Sequence, residues 1–91
     1  GLEAWEVHES IEYKVGKYYT CTVNMNIRNE PSTGNKESIL YVLPAGSRIL
    51  CYDVIKKDDW VWIQLPPDPK NNNMYQYVCA YNGIKNYINQ Q

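Results

Sequence analysis

A chain of 91 residues is one domain's worth, because domains typically run to about 100–150 residues and a shorter chain closes around a single core. At 44% hydrophobic and 13% aromatic residues it is too apolar to be a disordered tail. Nine basic residues against ten acidic leave a net charge of -1, and the one adjacent basic pair, Lys56-Lys57, is followed at once by Asp58-Asp59; this is no electrostatic footprint for nucleic acid.

No apolar run approaches the roughly 20 residues that span a bilayer, so no membrane partner is expected. The start, "GLEAWEVHES", lacks the basic-then-apolar order of a signal peptide, and any export signal is expected in a longer parent protein or by another route. In residues 1–16, Val7, Ile11, Tyr13 and Val15 alternate with polar residues while Leu2, Trp5 and Glu9 suit a helix. We read 1–16 as a lead-in or linker from a parent protein and 17–91 as the folded domain.

From Tyr19 to Arg28 the odd positions Tyr19, Cys21, Val23, Met25 and Ile27 are apolar and the even ones polar, the period of a strand with one buried face. "NEPSTGNKE" at Asn29–Glu37 collects turn residues and ends that strand. Ile39–Leu43 is the next strand and "PAGS" at Pro44–Ser47 a turn, with Gly46 placed for positive φ. Arg48–Ile55 reads as one strand, "KKDD" at Lys56–Asp59 as a hairpin connection, and Trp60–Leu65 as the returning strand.

"PPDPKNNN" at Pro66–Asn73 is excluded from a strand interior, since its prolines remove ladder donors. Met74–Ala80 is a strand rich in Tyr and Val, Asn82-Gly83 a turn, and Tyr87-Ile88 a last extended piece. Turn signals every eight to twelve residues, with no amphipathic helix, predict an all-β fold: a small antiparallel barrel of five to seven short strands.

The order of these elements resembles a bacterial SH3-type (SH3b) domain. The resemblance rests on "MNIR" at Met25–Arg28, "PST" at Pro31–Thr33, "LPAGSRI" at Leu43–Ile49, "WVWI" at Trp60–Ile63 and a closing strand like "YVCAYNGIKNYI" at Tyr77–Ile88. It covers Thr20 to Ile88 and departs where Asn29-Glu30 follows the arginine in place of glycine, and where "PPDPKNNN" replaces a short hairpin. It implies an SH3-like barrel that holds a peptidoglycan hydrolase, such as a phage endolysin or an autolysin, on bacterial peptidoglycan. On that reading the partners are a catalytic domain in the same parent chain and a stem peptide, cross-bridge peptide or wall glycan. The module acts outside the cell at the wall, reached after release from the host cytoplasm in phage lysis. The alternative is a protein–protein interaction or oligomerisation domain of the same fold.

Catalysis by the domain itself is not expected. The single histidine, His8, lies in the lead-in, leaving a nucleophile without a base. Asp58-Asp59, Glu30, Glu37 and Asp53 could in principle supply the carboxylate pair of a glycosidase, but Asp58-Asp59 reads as a solvated hairpin tip and a barrel this small has little room for a deep glycan cleft. Cys21, Cys51 and Cys79 are spaced about thirty residues apart with no C-x-x-C pair, which argues against a closed disulfide framework or zinc site and for buried strand residues. No cofactor or metal is expected.

Ligand residues are sought among the aromatics and one loop. Val61, Ile63 and Leu65 share a strand face that should point inward, so Trp60 and Trp62 should point out. Two outward tryptophans call for a cover, either Trp5 or Tyr13 of the lead-in or a stacked ligand. Tyr75 and Tyr77 share a face of the closing strand, and Tyr41 and Tyr52 lie on strands that border the same expected groove. Nine Tyr and no Phe is a skew toward rings that both pack and hydrogen-bond. The "NEPSTGNKE" loop corresponds to the long loop that walls the groove in SH3-type folds, which implies polar contacts from Asn29, Glu30 and Asn35. Pro31 and Gly34 shape the turn, and Arg28 is read as structural.

Overall fold

The computed structural model describes residues 12–90; the expectations for Leu2, Trp5, Val7, His8, Glu9 and Ile11 lie outside them. Among the described residues eight strands follow one another: β1 (Tyr18–Cys21), β2 (Met25–Arg28), β3 (Ile39–Leu43), β4 (Arg48–Leu50), β5 (Asp53–Lys57), β6 (Trp60–Asp68), β7 (Met74–Asn82) and β8 (Ile88–Gln90). They form a three-stranded sheet ordered β4-β1-β8 and a five-stranded sheet ordered β3-β2-β7-β6-β5, with antiparallel pairing throughout. The fold is the expected all-β, SH3-like small barrel, with more strands than the five to seven predicted.

The extra strands arise where two continuous runs change sheets. The run Tyr19–Arg28 breaks at Thr22–Asn24: β1 pairs with β4 and β8, β2 with β3 and β7. The corner is tied by Thr22, whose N–H and Oγ1 both donate to the Tyr87 carbonyl at 2.9 Å, and by Asn24 Oδ1, which accepts from Ala45 N at 2.9 Å. The run Arg48–Ile55 breaks at Cys51-Tyr52 for the same reason, since Cys51 N donates to Lys17 O while Tyr52 N donates to Gln64 O, both at 2.9 Å. A strand that switches sheets must bend at the corner; alternation survives the first corner, from Cys21 through Val23 to Met25, but at the second the core positions change from odd, Ile49 and Cys51, to even, Val54, with Tyr52 and Asp53 both exposed between them.

The prolines correct a second expectation. β6 runs through Pro66 and Pro67 to Asp68, because the register shifts there: Leu65 lies opposite Gln76 and Asp68 opposite Met74. Two prolines thus oppose one residue of β7, in a bulge where their missing N–H groups leave no ladder bond unmade. A 3₁₀ turn, Pro69–Asn71, follows, started by Asp68 Oδ1 accepting from Lys70 N at 2.9 Å.

Ile27, Ile63, Val78, Ile88, Cys21 and Cys51 are fully buried, and Tyr19, Met25, Ile49, Leu65 and Ala80 complete the core. Burying one such aliphatic side chain stabilises by about 1.5–3 kcal/mol. Val61, Ile63 and Leu65 point inward as expected. Gly83, at the turn before β8, has φ +90° and lies 3.2 Å, measured from where a Cβ would stand, from Asp59 Cβ. This joins the β5–β6 hairpin to the last turn where only glycine fits without strain.

Candidate functional site

The outer face of the β6–β7 pair carries most of the candidate aromatics. Residues directly opposite in an antiparallel ladder point to the same side, and Trp60 lies opposite Asn82, Trp62 opposite Cys79 and Gln64 opposite Tyr77, with Tyr77 also opposite Arg28. Tyr75 shares that face by alternation, and Tyr52, between β4 and β5, brings its ring to 6.5 Å from the Tyr75 ring. Trp60, Trp62, Tyr77, Tyr75 and Tyr52 therefore form one stripe.

The tryptophan end of the stripe is not open. Trp60 and Trp62 stack on each other, with ring centroids 6.0 Å apart and planes inclined by 16°, and Trp62 is only 2% exposed. Both indoles leave the inward face as expected, and the cover expected from the lead-in or a ligand is supplied, fully over Trp62 and partly over Trp60, by another part of the fold. Their cover is the Asn29–Glu37 loop, which folds back across them: Pro31, Ser32 and Thr33 meet Lys57, Asp58, Trp60 and Trp62 around a hollow of about 180 Å³, and Lys57 Nζ donates to Pro31 O at 3.0 Å.

The loop is built from its own polar groups. Asn29 N donates to Ser38 O at 2.9 Å, closing its base. Asn35 caps the 3₁₀ turn Lys36–Ser38, its Oδ1 accepting from Glu37 N at 2.9 Å, as turn-initiating Asn side chains do. Arg28 Nη1 donates to Asn35 O at 3.2 Å and to Ser38 Oγ at 3.1 Å, and Ser38 Oγ donates to Asn35 O at 2.6 Å. Asn35 is thus engaged on both its side chain and its carbonyl, whereas Asn29 is exposed and Glu30 half-buried. Arg28 makes the backbone hydrogen bond that a structural role requires.

The tyrosine end differs. Tyr52 is 48% and Tyr75 46% exposed, and Tyr77 is half-buried beneath them. Tyr41 is set apart, because it pairs with Ile27 on the core side of the sheet and its hydroxyl donates to Gln76 Oε1 at 2.8 Å. It lines a second groove, of about 330 Å³, with Pro66, Pro67, Pro69, Arg48 and Gln76. Arg48 stands 4.1 Å over the Tyr18 ring, a cation–π contact. Sequence reasoning missed this groove, although three prolines closing a strand were its visible signal.

Burial holds the three thiols protonated beyond their ordinary range. Burial pushes Cys51 and Cys79 up to about 11 and raises Cys21 as well; at Cys79 a backbone hydrogen bond to Tyr81 and the charge of Arg28 offset only part of the effect. Among the described residues no group of three or more His, Cys, Asp or Glu is placed to hold a metal ion. Tyr13 packs on the core, donates to Asn86 Oδ1 and tilts against Tyr19 at 5.8 Å; burial, with smaller contributions from Cys79, Tyr19 and Tyr81, pushes its hydroxyl up to about 12. No family model, characterised protein or solved structure matches the chain.

Proposed function

We propose that this is a non-catalytic cell-wall-binding module of bacterial SH3 type, holding a peptidoglycan hydrolase of endolysin or autolysin kind on peptidoglycan outside the cell, with catalysis elsewhere in the parent chain. The observation that carries the reading is the Tyr52–Tyr75 pair. Two rings 6.5 Å apart stay about half in water at the end of a stripe whose other end the fold has covered. Exposed rings with an apolar body and a hydroxyl suit a ligand that presents both apolar surface and hydrogen-bonding groups, as wall peptides and glycans do. The raised thiols support a binding role over a nucleophilic one.

The test is retention of the purified domain on peptidoglycan sacculi. Wild type should sediment with them and the double variant Tyr52→Ala/Tyr75→Ala should remain in solution with an unchanged melting curve. Equal sedimentation of both, or of neither, would sink the reading.

A second reading, a protein interaction or oligomerisation domain, is favoured by one feature. β3 is an edge of the five-stranded sheet, and Leu40, Tyr41 and Val42 along it are exposed, an edge with little of the charge that usually blocks strand pairing. Analytical ultracentrifugation across concentrations discriminates the two, since self-association that Val42→Lys abolishes would favour this reading.

A further inference from the structure

Arg28 is 8% exposed and its guanidinium stays charged in proteins. Among the described residues no carboxylate pairs with it, and both of its side-chain hydrogen bonds leave from one nitrogen, Nη1, toward Asn35 O and Ser38 Oγ. The Nε–H and Nη2 side of the fork has no acceptor there. That side is the geometry that holds a carboxylate through two parallel hydrogen bonds. A buried charge with no counter-charge among the described residues is costly there, and a fold that only needed to anchor a loop could do so with a neutral donor.

Arg28 also lines a pocket of about 250 Å³, together with Met25, Asn26, Thr33, Trp62 and Tyr87. None of the described residues lining it is acidic. Its volume falls below the roughly 300–1,000 Å³ of ordinary small-molecule sites, so it suits the end of a chain rather than its middle. Trp62 and Met25 offer apolar walls, and Asn26 and Thr33 make none of the side-chain hydrogen bonds seen among the described residues.

We infer that this pocket binds the terminal α-carboxylate of a peptide, held by the Nε and Nη2 donors of Arg28 above the Trp62 floor, with the last residue lying among Asn26, Thr33 and Tyr87. The inference is independent of the cell-wall reading and of the Tyr52–Tyr75 surface.

The probe is N-acetylglycine, added to the ¹⁵N-labelled chain and followed at the Trp62 indole and Arg28 Nε resonances. A saturable shift at both is expected, at least tenfold weaker with N-acetylglycinamide, which has the same shape and no charge. A third arm, the α-amide of N-acetylaspartate, carries its carboxylate on a side chain and should also bind at least tenfold more weakly. Equal response to the amide, no saturable shift, or tighter binding of the side-chain carboxylate would each overturn the assignment. Arg28→Gln removes the loop's anchor along with the fork, so the companion variant is Asn26→Asp. It places a carboxylate on the pocket wall and leaves Arg28's own bonds in place. It should weaken N-acetylglycine at least tenfold by competing from within, and unchanged affinity would show that the ligand is not at Arg28.

Discussion

Trp60 and Trp62 at one end of the outer face and Tyr52 and Tyr75 at the other are carried by the same sheet and point the same way. The difference lies in what comes back over them. At the tryptophan end the Asn29–Glu37 loop, fastened by Arg28, Ser38 and Lys57, roofs the indoles; at the tyrosine end the rings stay about half exposed. An outward face in a strand pattern is therefore not the same as a surface, and the side chains with the largest apolar area are here the ones that serve the fold.

That contrast is sharpest in stability. Trp62→Ala removes a 2%-exposed indole and should cost about 3–5 kcal/mol, the range for large-to-alanine changes at buried aromatic sites. At about 4–8 °C per kcal/mol for a domain of this size, a thermal melt should shift by tens of degrees or show no folded state. A loss below about 1 kcal/mol would place Trp62 with the tyrosines and erase the distinction. Next in size is Ser38→Ala, which leaves the Arg28 guanidinium with one of its two acceptors and should cost about 1–3 kcal/mol by urea denaturation. A neutral outcome would mean that the loop is not held through Arg28.

A weaker handle is pH. The folded state holds Cys51, Cys79 and Tyr13 protonated beyond their ordinary range, the thiols raised from 9 to about 11 and the phenol from 10 to about 12. A raised folded value means that the unfolded chain loses its proton first. The stabilisation is thus complete below pH 9 and declines as pH rises through 9–11 for the thiols and 10–12 for Tyr13. Denaturation midpoints should be flat with respect to these groups below pH 9 and fall above it, and Tyr13→Phe should lessen the fall between pH 10 and 12. A Tyr13→Phe profile that superimposes on wild type would show that Tyr13 does not contribute.

What the sequence discloses of this contrast is its local part. Period-two alternation assigns Val61, Ile63 and Leu65 to the core and the tryptophans to the other face, and the Gly46 and Asn82-Gly83 turns follow from residue chemistry. The sheet-switching corner at Thr22–Asn24 leaves no mark, because both halves of its run face one core and the alternation carries through; at Cys51-Tyr52 the phase does change, from Ile49 and Cys51 to Val54, but a run apolar on both faces hides it. The roof over Trp62 depends on Arg28 meeting Asn35 and Ser38, contacts between residues that no strand period links. The separation of Tyr41 from the stripe turns on which side of the sheet β3 presents, which pairing decides and composition does not.

The smallest expected effect on stability is at the other end. Tyr52→Ala and Tyr75→Ala remove rings that make one tilted contact with each other and stand about half in water, so each should change stability by no more than about 0.5 kcal/mol, the range for exposed positions. Their double-mutant cycle should show a coupling of no more than about 0.5 kcal/mol, the low end for an aromatic pair beyond its buried area. A fold that conserves apolar burial so closely at Trp62 gains almost nothing from leaving these two rings together outside. Retention on sacculi lost in the single variants while their melts stay with wild type would assign that cost to recognition. A melt that drops by several degrees with retention unchanged would make the tyrosine end a second structural patch and remove the asymmetry on which the binding reading stands.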